Sequence, residues 1–262
     1  MTKPKAIVQS LLVSPLLVGD LPNAAQFDRQ SLVGSDHHLE LNFDQKLGHL
    51  YEDALATLLA SSPQIELLEQ NLQVRQSIHS TVGELDFLVR DANGALTHLE
   101  LATKFYLAVK TDNDTGVAFP GPDSRDNYDR KIQRLLSHQL TLTQRHKDCL
   151  PSAYRDEDIS VKQLVYGCLF DHIDASAPGV PRFSNPDCRR GKWLHHAELA
   201  DYFPDDSQFD LIPKSLWPVP IELLGKISLE RWQPNTPVDR CLMLRVNGHG
   251  CPYFVAPDEY PG

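Results

Sequence analysis

The spacing of apolar residues changes along this chain from a helical period to a period of two, and this change restricts the fold more than any other feature. Residues 46–60 place apolar side chains at helical spacing and stop at residues 61–63, which predicts an amphipathic helix. Residues 83–90 and 96–107 alternate apolar with polar side chains, and residues 72–75 form a short strand-like run. A chain that combines both patterns buries helices against a sheet, so the sequence predicts an α/β fold.

The turn between the two alternating strands decides which side chains face each other across the hairpin. A two-residue Asn93-Gly94 loop pairs residues whose numbers sum to 187, and it places Asp86 and Glu100 on opposite faces. A three-residue loop, with Gly94 in the left-handed position of a bulge, pairs sums of 186 and sets Asp86 directly across from Glu100. We favour the three-residue loop because it gathers apolar side chains on one face. These side chains are Leu85, Phe87, Val89, Leu99, Leu101 and Thr103.

Two further segments complete the predicted core. Residues 126–143 carry an apolar stripe at helical spacing, and residues 161–170 have the apolar run of a buried strand. The resulting order of helix, three strands, helix and strand predicts a mixed sheet with helices packed on it. We therefore divide the chain into an N-terminal helical segment packed on the core (1–44), the core (45–171) and an extension (172–262). Frequent prolines in this extension predict short elements that wrap the core.

Charge and cysteine content restrict the partners and the compartment. The chain carries 25 Lys and Arg against 35 Asp and Glu, a formal net charge of −10. This balance argues against a general basic coat for nonspecific nucleic-acid binding, although a local basic patch or a bound divalent metal ion still attracts phosphate. The five cysteines are odd in number and contain no CxxC pair, which predicts a reducing, cytoplasmic location.

The beginning of the chain imitates a secretory signal, because an apolar run at residues 6–18 follows Lys3 and Lys5. Polar residues interrupt this run, and we expect instead a buried helix that ends near Ser14-Pro15. The sequence contains no other long apolar stretch, so we expect no membrane span.

Asp86 and Glu100 are the candidate centre of a functional site. Two carboxylates on adjacent strands repel each other unless a positive group lies between them, and their hard oxygens suit Mg²⁺ (or Mn²⁺). Lys104 lies on the Glu100 face, where a lysine can orient an attacking water or stabilise charge on phosphorus. Glu52, on the first predicted amphipathic helix, adds a carboxylate from above the sheet. The alternative is a surface ion pair between Glu100 and Lys104, which contributes about 0 to 1 kcal/mol.

The residues around these acids resemble a known family. Residues 83–89 and 98–107 look like a bacterial family that is catalogued as a domain of unknown function and assigned to the PD-(D/E)XK nuclease superfamily. The resemblance spans most of the chain. It also includes residues 47–52, 121–122, 125–126 and 129–131.

The resemblance implies a restriction-endonuclease-like core and magnesium-dependent cleavage of phosphodiester bonds. Asp86 matches the aspartate of the superfamily motif, Glu100 matches its glutamate, and Glu52 matches the helical glutamate of many members. The motif has a lysine two residues after the glutamate, where this chain has Ala102. The resemblance therefore implies a catalytic lysine that has moved to Lys104.

A basic set follows the strand of Glu100 and is a candidate contact for nucleic acid. Arg130, Lys131 and Arg134 lie on the second predicted helix, with His138 beyond them. Such a set is more often a solvated helix face than a track for a phosphate backbone. Its position after the strand of Glu100 raises the phosphate track as the alternative.

Other candidate sites are weaker. Two cysteine and histidine sets resemble zinc ligands, but neither has a second correctly spaced pair. The sets are Cys241 with His249 and Cys251, and Cys188 with His195 and His196. His37-His38 and His172 are expected at the surface or in loops. The sequence contains no Gly-rich phosphate loop, nucleophile elbow or HExxH motif, so nucleotide-driven and serine-hydrolase chemistry lack support.

The sequence as a whole favours a cytoplasmic α/β protein that cleaves phosphodiester bonds of DNA or RNA with magnesium. The alternative is a degenerate nuclease fold that binds nucleic acid or a protein partner without chemistry. Metal binding that depends on Asp86 and Glu100 favours the nuclease. Binding through the basic set without a metal ion favours the binding module.

Overall fold

The computed structural model describes residues 1–34, 40–111 and 116–262. Within these ranges the α-helices are α1 (Lys3–Val13), α2 (Leu47–Ser61), α3 (Tyr128–Ser137), α4 (Leu142–Arg145), α5 (Ser152–Arg155), α6 (Leu199–Tyr202) and α7 (Ile221–Leu224). Short 3₁₀ turns lie at Arg29–Ser31, Gln139–Thr141, Lys147–Cys149, His196–Glu198 and Lys214–Leu216. The strands are β1 (Ala25–Gln26), β2 (Ile65–Ser77), β3 (Ser80–Asp91), β4 (Leu96–Lys110), β5 (Val117–Ala118), β6 (Ile159–His172), β7 (Arg190–His195), β8 (Phe209–Leu211), β9 (Glu230–Trp232), β10 (Leu242–Val246) and β11 (Pro252–Ala256).

The strands in the described part of the chain form one mixed sheet. Its main path runs β2-β3-β4-β6-β7-β11-β10-β8-β9, with β1 paired to β6 and β5 paired to β4. The strands β2, β3 and β4 form an antiparallel meander, whereas the neighbours β4, β6, β7 and β11 are parallel. Helices cover this sheet, so the predicted α/β class is confirmed. The main elements α2, β2, β3, β4, α3 and β6 follow one another in the predicted order.

Helices α1 and α2 pack on one face of the sheet. The apolar residues of α2 that recur at helical spacing are buried with Phe87 and Leu99 of the hairpin. They are Leu50, Tyr51, Ala54, Leu55, Leu58 and Leu59. The helix α1 ends at Val13 because Ser14 is extended and a proline follows, as the sequence predicts. The side chains of Ala6, Ile7 and Leu11 join the same core.

The β3–β4 hairpin has the predicted three-residue loop. Phe87 pairs with Leu99 and Arg90 with Leu96, so the pair numbers sum to 186. The backbone N–H of Asp91 donates to the carbonyl of Ala95 at 3.0 Å, and Gly94 is left-handed with φ +87°. Glycine accepts this conformation without strain, which explains why the loop closes here. The register prediction is therefore confirmed for the paired part of the hairpin.

The second long helix is shorter than the sequence pattern suggests. The prediction spans residues 126–143, but α3 begins at Tyr128, because the Asn127 side chain accepts from two backbone N–H groups of the first turn. It ends at Ser137, because His138 leaves the helical region with φ −135°. A 3₁₀ turn and α4 follow, so an apolar stripe that looks continuous is divided into three pieces. Helix α3 packs on the face of the sheet opposite α1 and α2, against Ala102 and Tyr106.

Residues 172–262, which we expected to wrap the core, contribute strands to the sheet itself. The strands β7 to β11 are three to six residues long, in agreement with the interruption of regular structure by prolines. Trp217 and Phe254 pack edge to face on each other and on Phe105 of β4. One apolar cluster therefore joins this part of the chain to α2 and β4.

None of the helices in the described ranges has both the length and the apolar character that crossing a membrane requires.

Candidate functional site

The candidate site lies where β3 and β4 separate. Their ladder ends at the pair Phe87 and Leu99, and the next residues are Asp86 and Glu100. Beyond this point β3 continues beside β2, while β4 continues beside β6. The carboxylate of Asp86 takes the place of a ladder partner, because its Oδ2 accepts from the backbone N–H of Leu101 at 2.8 Å. The fork therefore sets both predicted acids at one place in the sheet.

Glu100 is buried, with 1% exposure, and only one of its carboxylate oxygens is satisfied. Oε1 accepts a hydrogen bond from the Gln139 side chain, whereas Oε2 has no hydrogen-bond partner. The His98 Nε2 atom lies 3.7 Å from Oε2, beyond hydrogen-bond range. Burial lowers the pKa of His98 to about 4, so this imidazole is neutral at pH 7 and does not balance the carboxylate. A buried carboxylate oxygen without a partner points to a missing cation or donor.

The electrostatics of the acid pair favour protonation or a bound cation. Burial, followed by repulsion from Glu100, raises the pKa of Asp86 far above its ordinary range. Burial is also the main cause that raises the pKa of Glu100. The carboxylate of Glu52 repels both acids, and that of Glu84 also repels Glu100. Repulsion among carboxyl groups from two strands and a helix therefore adds to the effect of burial at the fork.

Glu52, the third predicted metal ligand, lies on α2. Its side chain is 13% exposed, and His49 Nδ1 lies 3.0 Å from its Oε2. This contact raises the pKa of His49, which lies on the solvent side of the same helix turn. Glu52 is close enough to repel both Asp86 and Glu100, although α2 packs on the face of the sheet opposite Ala102, which shares the Glu100 face of β4.

Lys131 faces the acids rather than solvent. Its ammonium Nζ donates to Gln139 Oε1 at 2.8 Å, and the Gln139 amide in turn donates to Glu100. Burial lowers the pKa of Lys131, while the nearby Glu100 and Asp86 act in the opposite direction. The predicted basic set is therefore divided, since Arg130 and Arg134 are exposed and Lys131 is turned inward.

Lys104, the predicted catalytic lysine, has a different partner. It lies on the Glu100 side of β4, but its ammonium donates to Asp126 Oδ2 at 2.6 Å. The side chains of Lys104 and Asp126 are 29% and 36% exposed. Ala102, between Glu100 and Lys104 on this face, has no bulk that would prevent the lysine from swinging toward the acids. Lys104 also lowers the pKa of Lys131, so the two ammonium groups are neighbours.

A cleft of about 1000 Å³ opens beside the fork. The beginning of α2, the middle of β4 and Lys131 line one part of it, and residues 211–217 and 240–243 line the other. Both candidate lysines, Lys104 and Lys131, belong to its wall. Asp86, Glu100 and Glu52 are not among the described residues that line it, so a molecule in the cleft would meet the two lysines before the acid pair.

Three residues of the site were not selected from the sequence. The sequence could have indicated Glu84, because it precedes Asp86 by two residues and therefore lies on the same face of the strand. The same spacing could have indicated His98, which precedes Glu100 by two residues. Nothing in the sequence indicates Gln139, because its position depends on the end of the helix before His138.

The structure brings together a set of possible zinc ligands that differs from the two sets suggested by the sequence. Neither predicted cysteine and histidine set comes together in the described ranges, where the group with ligand atoms close enough for one ion is His172, His195 and Glu198. His172 is the last residue of β6 rather than a loop residue. His37-His38 lie outside the described residues.

One comparison with known proteins identifies the family of this chain. A family model described as a domain of unknown function (DUF1853) matches residues 22–236. No curated protein and no solved structure matches the chain.

Proposed function

We propose that this chain, which belongs to the family DUF1853, is a metal-dependent nuclease with a restriction-endonuclease-like core that hydrolyses phosphodiester bonds. The observation that carries the proposal is the acid pair at the strand fork, Asp86 and Glu100. Both carboxyl groups have raised pKa values, and a buried oxygen of Glu100 has no partner. Such an arrangement is unfavourable for the fold itself and becomes favourable when a cation lies between the carboxylates.

The residues present fit a magnesium or manganese ion. Asp86, Glu100 and Glu52 would hold it through carboxylate oxygens, the ligand type that Mg²⁺ prefers. The fit rests on the unsatisfied Oε2 of Glu100, which is buried beside another acid. When bound, the ion would polarise a phosphoryl oxygen and lower the pKa of a coordinated water.

The chain supplies positive charge on the cleft side of the acids. Lys131 is linked to Glu100 through Gln139, so its ammonium would stabilise charge that develops on a phosphoryl group bound beside the acids. Lys104 can serve the same role if it leaves Asp126. The exposed Arg130 and Arg134 extend the positive surface along α3 and would contact a nucleic-acid backbone.

A second function is supported by one specific observation. The position that carries lysine in the superfamily motif is Ala102, and Lys104 is bound to Asp126 rather than to the acids. A degenerate nuclease fold that binds nucleic acid without cleaving it has such a site. The two functions share the cleft and the exposed arginines and differ in chemistry.

Cleavage by the purified chain separates the two functions. We expect wild type to cut at least one of double-stranded DNA, single-stranded DNA and RNA with Mg²⁺ or Mn²⁺, and Asp86→Asn to be inactive. Glu66→Gln is the matched control, because Glu66 is an exposed carboxylate on β2 that contacts Arg90. Nucleic-acid binding without cleavage under any metal condition would establish the binding module instead.

A further inference from the structure

The cluster of His172, His195 and Glu198 lies at the carboxyl ends of two adjacent parallel strands. His172 ends β6, His195 ends β7, and Glu198 lies in the 3₁₀ turn directly after β7. Parallel strands end at the same edge of a sheet, which brings the two histidines together. From Gln163, the β6 partner of Glu100, to His172 the strand runs for about 30 Å, so this cluster is separate from the acid pair.

The three side chains converge on one point. Their ligand atoms all lie within 4.8 Å of one another. His172 Nε2 and His195 Nδ1 are each 3.3 Å from Glu198 Oε2. The side chains are 26%, 27% and 30% exposed in the order His172, His195 and Glu198, so an ion can reach them from solvent.

The surroundings fix the orientation of His195. Its Nε2 lies 3.0 Å from the backbone carbonyl of Tyr260, which accepts a hydrogen bond and so places the proton of the neutral ring on Nε2. The lone pair of Nδ1 then faces Glu198 and accepts from its backbone N–H in a capping box, and an ion would replace this contact. A backbone carbonyl behind a histidine is a usual support of metal-binding imidazoles. Trp193 packs edge to face on both imidazole rings, at centroid distances of 4.7 and 5.1 Å, and limits their rotation.

His172 requires one rearrangement to act as a ligand. The backbone N–H of Asp174 donates to its Nδ1 at 3.3 Å, which places the proton of the neutral ring on Nε2. For Nε2 to bind an ion, this proton must move to Nδ1, and the contacts of His172 with the Asp174 N–H and with Glu198 Oε2 are both lost. Both contacts are long for hydrogen bonds at 3.3 Å, solvent can satisfy the Asp174 N–H, and bonds to the ion would replace the contact between His172 and Glu198.

We infer that His172, His195 and Glu198 bind a divalent transition-metal ion that prefers imidazole ligands, with Zn²⁺ as the best match. Two histidines and one carboxylate are a known zinc ligand set, and they leave a fourth position open to water or another ligand. Magnesium is a poor match because it prefers oxygen ligands alone. The chain would then hold two metal ions of different chemistry at distant parts of one sheet.

Calorimetric titration of the metal-free full chain with Zn²⁺ tests this inference. The variant Asp86→Asn distinguishes zinc binding at the histidine cluster from zinc binding at the acid pair. We expect one zinc equivalent, a loss of at least about tenfold in affinity for His195→Ala and Glu198→Gln, and unchanged affinity for Asp86→Asn. Glu198→Gln keeps an oxygen for the bond from the His195 N–H, so it preserves the turn while it removes the charge.

The adjacent histidine provides a matched control. His196 has its Nε2 2.7 Å from the carbonyl of Pro234 and lies outside the cluster, so His196→Ala should bind zinc like wild type. Substitution of Co²⁺ provides a second readout, because its visible absorption should be lost in His195→Ala and kept in His196→Ala. The inference is overturned if wild type binds no zinc, or if the cluster variants bind it as tightly as the control.

Discussion

At the scale of single residues, the acid pair opposes folding when no cation is present. Asp86 and Glu100 share the fork with Glu52 and Glu84, and the neutral His98 does not compensate their charge. Lys131 is the positive group nearest to Glu100 in its hydrogen-bond network. Such a site lowers the free energy of unfolding when it is empty, and a bound cation would offset this loss.

The pH dependence of stability follows from the direction of these pKa shifts. The folded chain holds protons on Asp86 and Glu100 that the unfolded chain releases above about pH 4, the ordinary carboxyl value. The free energy of unfolding should therefore fall as the pH rises from about 5 to 8 in the presence of a chelator. Asp86→Asn should flatten this fall and stabilise the chain by about 1 to 3 kcal/mol at the upper end. Urea unfolding at several pH values measures both effects. An unchanged pH dependence of the free energy of unfolding in the variant would contradict the raised pKa of Asp86.

The two candidate lysines can be separated by single substitutions. We expect Lys131→Met to lower the cleavage rate by about 100-fold, the usual loss when one donor to a developing charge is removed. We expect a smaller loss, about tenfold, for Lys104→Ala, because its ammonium is bound to Asp126 in the structure. Metal affinity, measured by calorimetry, should change little in either variant. A larger loss for Lys104→Ala would assign the catalytic role to Lys104, as the superfamily resemblance implies.

At the scale of elements, the site depends on close contact between β4 and β6. Gly167 lies opposite Lys104 in this parallel ladder, and a Cβ atom there would be 1.7 Å from the carbonyl oxygen of Lys104. Gly167→Ala must displace a strand, and we expect a loss of about 3 kcal/mol in unfolding free energy. Gly225→Ala is the control, because its nearest contacts would be 3.6 and 3.8 Å. Equal stability of the two variants in urea unfolding would contradict the close packing of these strands.

The exposed arginines of α3 test the nucleic-acid surface. Arg130→Glu with Arg134→Glu should weaken binding of DNA or RNA and reduce its dependence on salt, because fewer phosphates are neutralised. Lys3→Glu with Lys5→Glu changes the charge by the same amount on the exposed side of α1 and serves as the control. Fluorescence anisotropy over a salt series measures both quantities. Equal weakening in the two double variants would mean that α3 acts through overall charge alone.

Elements with a strong local pattern could be predicted from the sequence. The helix α2 follows from apolar spacing, and the hairpin register follows from the alternation around Gly94. The length of β2 could not be predicted, because register shifts at residues 67–69 and 74–77 disturb its alternation. The end of α3 at His138 could not be predicted either, because the apolar stripe continues into the following turn.

At the scale of the whole molecule, one sheet connects the predicted segments. Strand β6 joins the meander of β2 to β4 with the strands after residue 172, and Trp217 packs against β4 from the later part of the chain. The sequence could predict the hairpin register that brings Asp86 and Glu100 to the fork, because both strands have clear patterns. It could not place Lys131 beside them or assemble the cleft, because both depend on contacts between distant segments. The local surface of α3, rather than the net charge of −10, would attract a nucleic acid.

We propose that Asp86 and Glu100 hold a divalent cation at the strand fork, and the nuclease function depends on this site. A crystal structure of the chain soaked in Mn²⁺, with anomalous scattering to locate the ion, tests it most directly. We predict an anomalous peak within coordination distance of both carboxylates, about 2.0 to 2.3 Å, and the loss of that peak in Asp86→Asn. An empty fork at saturating Mn²⁺ would contradict a cation site at Asp86 and Glu100.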